Sequence, residues 1–227
     1  MTIYFEKNNI YTKNLCLGIT VYGERLTVIK GEEYRYWNPR RSKLAAWFLK
    51  YKNGLKIFDE IQQQSSNDLR PTTPRILYLG AATGTTVSHV SDFIVSGTIY
   101  AVEFAKVPML KLLNLAQQRK NILPLFENAL FPERYSPYVP MVDILYEDIA
   151  HRNQVLAFTL NAERFLKKNH YGLLMLKTRS ISSIEKPEKV SRDVQNNLEN
   201  LNYKVISNIP LTPFVKDHYA ILVKKNA

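Results

Sequence analysis

Residues 76–86 read Ile-Leu-Tyr-Leu-Gly-Ala-Ala-Thr-Gly-Thr-Thr. The apolar stretch Ile76-Leu77-Tyr78-Leu79 has strand character, and it runs into a turn of small residues and then a helical pattern. Gly80, Ala81, Ala82 and Gly84 carry little or no side chain, so a ligand can lie against the backbone. Thr85 or Thr86 is placed to cap the following helix, whose first N–H groups lack partners within the helix and point outward. A strand, a small-residue turn and a helix N-terminus make a nucleotide-type site at the end of a first parallel strand. It is not the dinucleotide fingerprint, because Ala82 stands at the second glycine of G-x-G-x-x-G, and no Gly-Lys-Ser/Thr follows as in a P-loop. An ordinary strand-turn-helix connection has the same pattern, so the neighbouring strands decide between the two.

Outward from this stretch, strands and helices alternate. The pattern predicts a strand at Ile76–Leu79, then a helix with Val87, Val90 and Ile94 on one face. Thr98–Glu103 is a second strand, followed by a helix with Leu110, Leu113 and Ala116 facing inward. Ile122–Phe126 and Val142–Tyr146 are the third and fourth strands. Val155, Phe158, Ala162 and Phe165 lie on one helical stripe, and Tyr171–Leu176 is the fifth strand. A further stripe, Val190, Val194, Leu198 and Leu201, precedes two last strands at Tyr203–Ile209 and His218–Val223. No helix separates those two, so they should pair antiparallel. Such alternation implies a mostly parallel sheet with helices on both faces. A seven-stranded sheet of this kind, closed by an antiparallel hairpin, is the class I (Rossmann-like) methyltransferase fold.

The first forty residues differ. Leu17–Val21 and Arg25–Ile29 read as short strands punctuated by Gly18, Gly23 and Gly31, which suggests a small β unit over residues 1–40. Ser42 then looks like a helix cap, with Leu44, Trp47, Phe48 and Tyr51 at helical spacing in the domain over 41–227. Gln62 to Pro74 is polar, holds two prolines and reads as a loop.

At 227 residues and 45% hydrophobic content, the chain can bury a full α/β core. Its net charge of +11 favours a polyanionic partner, most often nucleic acid. The single cysteine, Cys16, excludes intrachain disulfides and cysteine-rich metal sites. The four histidines show no metal-ligand spacing, so no metal is expected. No apolar run approaches the roughly 18–20 residues of a membrane span. No charged-then-apolar leader opens the chain, and the expectation is a cytoplasmic protein without membrane contact.

Open α/β sheets bind ligands at the carboxyl ends of their strands. The first strand ends at Gly80 and the second at Glu103, where a carboxylate can accept both hydroxyls of a ribose. Phe104 can lie against an adenine ring. Asn128, after the third strand, can meet the adenine edge as acceptor and donor. The fourth strand ends at Glu147-Asp148, the fifth at Lys177, and the final hairpin strand opens at Lys216-Asp217-His218. Taken singly, acidic residues at strand ends are often solvated and lysines are usually surface. Here all of them fall on one rim of one sheet.

These residues resemble the fibrillarin family, RNA 2′-O-methyltransferases of C/D-box guide ribonucleoproteins, in its short archaeal form. Leu77 to Asp92 looks like the family's cofactor motif almost letter for letter, and Tyr100-Ala101-Val102-Glu103-Phe104 like its second-strand motif. Asn38 to Ala46, Lys177 to Ile181 and Lys216-Asp217-His218 are similar to its first-helix and late motifs. The resemblance runs from about residue 11 to the end, without the Gly/Arg-rich tail of eukaryotic forms.

The resemblance implies S-adenosylmethionine as cofactor. Gly80, Ala82, Thr85 and Thr86 would surround its methionine part, Glu103 its ribose and Phe104 its adenine, with Asn128 and Ala129 at the adenine edge. Asp148 to His151, with Gln154, would close the pocket. The family's catalytic set would be Lys43, Asp148, Lys177 and His218. A 2′-hydroxyl is a poor nucleophile and needs its proton removed in line with the methyl donor. Lys177 is the candidate base, since a neighbouring cation such as Lys43 or a sulfonium loosens a lysine's proton. Asp148 would position and offset the positive cluster. His218 would orient a lysine or contact the RNA. Arg40, Arg41 and Arg179 would hold phosphates, or else stand as surface arginines. Implied partners are a Nop-domain scaffold protein, a kink-turn-binding protein of ribosomal type, C/D-box guide RNA and target RNA.

The chain departs from the family at Asn128, where Asp is usual, and at His151-Arg152-Asn153-Gln154, where Gln-Pro-Asn-Gln is usual. Asn keeps an acceptor oxygen, so cofactor binding can survive with altered affinity. The alternatives are a catalytically impaired structural subunit of the same ribonucleoprotein, a small-molecule methyltransferase and a nicotinamide-dependent oxidoreductase. The charge and the two-lysine set weigh against the second, and the missing glycine against the third.

Overall fold

The structure, a computed structural model, describes residues 2–67 and 73–227. Strands β1 (Ile3–Glu6), β2 (Asn9–Lys13), β3 (Leu26–Ile29) and β4 (Glu32–Tyr36) form an antiparallel sheet in the order β1-β2-β4-β3. Leu17–Val21, expected as a strand, is instead part of the loop from β2 to β3. Leu17 is 71% exposed, so the alternation there has no core to serve.

Helix α1 (Lys43–Lys50) starts at Ser42, whose side chain accepts from the Ala45 N–H at 3.3 Å. That is the cap expected from sequence. Helix α2 (Gly54–Asn67) overruns the expected loop as far as Asn67; residues 68–72 of that loop lie outside the described residues. Gln, Ser and Asn are poor breakers, and no proline interrupts the sequence before Pro71.

The alternating half follows as β5 (Arg75–Leu79), α3 (Thr85–Phe93), β6 (Thr98–Val102), α4 (Lys106–Gln118), β7 (Ile122–Leu125), β8 (Val142–Glu147), α5 (Gln154–Phe165) and β9 (Leu166–Lys177). After these come α6 (Thr178–Ile181), α7 (Pro187–Asn200), β10 (Tyr203–Pro210) and β11 (His218–Lys225). The sheet order is β10-β11-β9-β8-β5-β6-β7. Its central pairs are parallel, and β11 runs antiparallel to both β9 and β10. This is the class I methyltransferase arrangement. The order reverses at β5, flanked by β6 and β8, and that switch point opens a crevice at the strands' carboxyl ends.

Along β5, Ile76 and Tyr78 enter one core cluster while Leu77 and Leu79 enter the other. A strand covered on both faces needs an unbroken apolar run, which is why residues 76–79 do not alternate. Helix α4 departs from expectation. Met109, Leu112 and Leu115 are its buried residues, whereas Leu110 and Leu113 are 55% and 45% exposed and Ala116 only partly buried. The helix carries two apolar stripes, and periodicity alone does not say which one the sheet takes. On α7, Val190, Val194 and Leu198 are buried but Leu201, at the helix end, is exposed.

The small sheet packs on α3 through a buried polar network. Asp92 accepts from Thr12 Oγ1 at 2.6 Å, Arg35 Nη1 at 2.8 Å and Arg119 Nη1 at 2.5 Å. Arg35 also pairs with Glu24 at 2.6 Å. His89 is bonded to Thr12 Oγ1 and Tyr22 Oη. Burial first, then the Arg35 and Arg119 cations, hold His89 well below its ordinary pKa, so it sits in the network as neutral imidazole.

Candidate active site

The turn after β5 is shaped by its neighbours. Gly80 has φ +80°, and a Cβ there would meet the Asp148 carbonyl oxygen at 2.8 Å. Ala82 is also left-handed, at φ 49°, and aims its N–H at Glu103 Oε2, 2.9 Å away. The N-cap of α3 is Gly84 rather than a threonine. Neither Thr85 nor Thr86 caps: Thr86 donates instead to Ser42 Oγ at 3.0 Å, fastening α3 to the start of α1. Gly84 has no side chain with which to accept from the first N–H groups of α3.

At the switch point lies a cavity of about 380 Å³. The sequence-derived candidates Gly80, Ala82, Glu103, Phe104, Asn128, Ala129, Asp148 and His151 line it. Val102, Leu130, Asn153 and Ala157 line it too, and no sequence signal marked them for the wall. Thr85 and Thr86 lie outside this lining, Thr85 facing a neighbouring groove.

Glu103 is buried, and each carboxylate oxygen accepts one backbone N–H, from Ala105 at 2.7 Å and Ala82 at 2.9 Å. Held this way, it keeps further lone pairs for a pair of ribose hydroxyls. Phe104 stands 67% exposed at the rim. Asn128 Oδ1 accepts the Leu130 N–H at 2.9 Å, which fixes the amide and leaves its NH₂ group to donate. His151 is exposed, with Nδ1 accepting the Asn153 N–H at 3.1 Å.

Gln154 takes a buried place beside the cavity. It does not line the cavity but lies fully buried, gripping the Lys177 peptide. Its Oε1 accepts the Lys177 N–H at 2.8 Å, and its Nε2 donates to the Lys177 carbonyl at 3.1 Å. The glutamine therefore sets the direction in which β9 ends and Lys177 emerges.

The four catalytic candidates converge beside the cavity. Lys43 Nζ bonds Asp148 Oδ1 at 2.6 Å. Lys177 on β9 stands opposite His218 on β11. The Lys216 carbonyl accepts from His218 Nδ1 at 2.7 Å, which leaves Nε2 as the acceptor. The His218 pKa falls below its ordinary 6.5, chiefly by burial and then by the Lys43 and Lys177 charges, against the Lys216 carbonyl and Asp148. Neutral His218 thus offers a lone pair beside two lysines.

The arginine candidates divide. Arg40 and Arg41 are exposed, with the Arg41 guanidinium 4.8 Å from the centre of the Tyr22 ring. Arg179 is turned onto its own loop, donating to the Ser183 carbonyl at 2.8 Å and lying 3.5 Å from Asp217. Its groups are largely spent on structure.

The fibrillarin family profile matches residues 2–227. The chain belongs to the fibrillarin family. It is 41% identical over 224 residues to a fibrillarin-like rRNA/tRNA 2′-O-methyltransferase of Methanothermobacter thermautotrophicus, covering 99% of this chain and 94% of that one. Among solved structures, Aeropyrum pernix fibrillarin with natively bound S-adenosyl-L-methionine superposes with a TM-score of 0.78 at 40% identity, covering 95% and 88% of the two chains. A fibrillarin/Nop5p complex gives 0.83 at 39% identity, covering 99% and 97%.

Proposed function

We propose that this fibrillarin is an RNA 2′-O-ribose methyltransferase acting on rRNA and tRNA within a C/D-box guide ribonucleoprotein, with S-adenosylmethionine as methyl donor. The observation that carries it is the Lys43–Asp148 pair, with Lys177 and His218, beside a cavity shaped for a nucleoside.

The residues present fit the cofactor. Glu103 accepts from its ribose hydroxyls, Asn128 meets its adenine edge, and Phe104 and Ile149 offer apolar faces to the ring. Gly80, lacking a Cβ, lets the Asp148 backbone close up against the turn at the cavity wall. When bound, S-adenosylmethionine supplies a methyl group on positively charged sulfur. Asp148 offsets positive charge there and holds Lys43. Lys177 Nζ takes the proton from the RNA 2′-hydroxyl, and His218 Nε2 accepts a hydrogen bond that orients donor groups around it.

A Nop-domain scaffold docks on the exposed apolar strip of Val107, Leu110, Leu113, Leu123 and Phe126 on α4 and around β7. The fibrillarin/Nop5p complex of a relative supports such a partner. Phe104, also exposed, precedes α4 at the cavity rim. A kink-turn-binding protein, guide RNA and target RNA complete the particle. Among the described residues, no helix is long and apolar enough to cross a membrane.

The test is guided methylation by the assembled complex with labelled S-adenosylmethionine. Label is expected at the guided ribose, with Lys177→Ala lowering the rate by roughly 10²–10⁴, the usual worth of a general base. Retained rate in the variant would remove Lys177 as base. An assembled wild-type complex that binds cofactor but transfers nothing would leave a structural subunit.

A further inference from the structure

The small-residue turn has two sides. Gly80 and Ala82 face the cofactor cavity, while Thr83 and Thr85 face a separate groove of about 440 Å³. Its other walls are the loop at Thr20–Tyr22, the turn at Arg41 and the polar face of α4 with Lys111, Asn114 and Gln118. Arg41 and Lys111 are, among the described residues, the charged side chains lining it, and no carboxylate does. Among the described residues, neither cation forms an ion pair, and both are exposed.

Arg41 is held in place. Its guanidinium lies over the Tyr22 ring, and Nη1 reaches the Tyr22 carbonyl at 3.4 Å. Tyr22 in turn is fixed by its hydroxyl, which donates to the Tyr36 carbonyl at 3.1 Å and contacts His89 Nε2 at 2.8 Å. The buried network under the small sheet thus ends in a tyrosine that carries an arginine into the groove. A guanidinium held over a ring still has N–H groups left for a further acceptor, and their planar fork matches a phosphate. The groove is also tied to the reaction site through a short relay of contacts. Thr86, next to Thr85, is bonded to Ser42, and the adjacent Lys43 holds Asp148 in the cavity.

We propose that this groove binds the sugar–phosphate backbone of the target RNA strand beside the nucleotide being methylated. Arg41 and Lys111 take phosphate oxygens, while Asn114 and Gln118 bond sugar or phosphate oxygens. The proposal rests on the RNA methyltransferase reading and adds the surface that presents the ribose. The same cations could serve another anion, the cofactor's own carboxylate, so the experiment separates the two.

Arg41→Ala, Lys111→Ala and the double variant are compared with wild type in the assembled complex. KM for target RNA is measured at several salt concentrations with S-adenosylmethionine saturating, and the cofactor Kd is measured on the free protein. The expected result is a higher RNA KM at low salt, with the slope of log affinity on log salt smaller by about one per lost contact. Cofactor Kd stays within error of wild type. An unchanged RNA KM and slope in the double variant overturns the proposal. A weakened cofactor Kd overturns it in favour of the cofactor's carboxylate, and failure to co-purify with the scaffold assigns the groove to that partner. If the wild-type complex transfers no methyl, the catalytic reading fails by itself. Target-RNA binding by the same complexes, measured by filter retention over the salt series, then decides the groove with the same criteria.

Discussion

At the residue scale, function sits on side chains whose surroundings would be costly elsewhere. Glu147 ends β8 fully buried, and among the described residues neither carboxylate oxygen has a hydrogen-bond partner. Burial, and secondarily the Asp148 charge, push its pKa well above the ordinary 4.5. The folded protein therefore retains a proton that the unfolded chain releases above about pH 4.5. Stability from this residue is fully present below that value and is lost as pH rises toward the raised folded pKa. Glu147→Gln keeps the shape without the titration, so its melting temperature should gain on wild type as pH rises above about 4.5. Parallel melting curves would show that gain, and a constant difference would refute it. Gln154 makes a second case. Gln154→Leu should lower kcat while leaving cofactor Kd near wild type, because the glutamine grips the Lys177 peptide and does not line the cavity. A Kd that weakens in step with kcat would return the residue to the cofactor wall. The positions of Asp148, Lys177 and His218 on one rim were legible because strand ends can be read from sequence, whereas Lys43, at the start of α1, was named only through the family resemblance. The task of Gln154 was not, since a grip on another strand's peptide leaves no local pattern.

At the element scale, the chain shows why patterns identify helices more readily than their orientation. Helix α4 was legible as a helix, but its inward stripe was not. Leu110 and Leu113 are as apolar as Leu112 and Leu115, and only the sheet's position chooses between them. The cap of α3 was misread for a related reason. Threonines at a helix start are good capping residues, yet the packing of α4 requires a left-handed residue without a side chain just before them. A Cβ on Gly84 would lie 2.4 Å from Leu115 Cδ2, at φ +95°. Gly84→Ala combines backbone strain with that overlap and should cost about 1–3 kcal/mol, read by denaturant titration. It should also disturb cofactor binding, since Ala82, in the same turn, bonds Glu103. A variant as stable as wild type would mean that Leu115 moves aside freely.

At the scale of the whole molecule, the small sheet and the larger layer are joined by charge as well as by apolar contact. Ile3, Ile10 and Trp37 belong to the same core cluster as Val87, Val90 and Phe93 of α3. Around them, Asp92 is the carboxylate that both buried arginines, Arg35 and Arg119, share. None of this was legible in sequence. The partners stand at 12, 24, 35, 89, 92 and 119, and no period links them. The consequence is strong coupling between the two layers. Asp92→Asn keeps the size of the side chain but removes the shared negative charge, leaving Arg119 buried without a carboxylate partner and Arg35 with Glu24 alone. Removing one partner of a buried ion pair typically costs about 3–5 kcal/mol, because the remaining charge stays desolvated. The loss should appear as one cooperative transition moved to lower temperature, with the tryptophans of the first layer boundary, Trp37 and Trp47, reporting the same midpoint as far-ultraviolet circular dichroism. Two separated midpoints would show instead that the small sheet melts on its own. Because Tyr22 hangs from this network through His89, the same substitution should also loosen Arg41 and raise the RNA KM at temperatures where the protein is still folded.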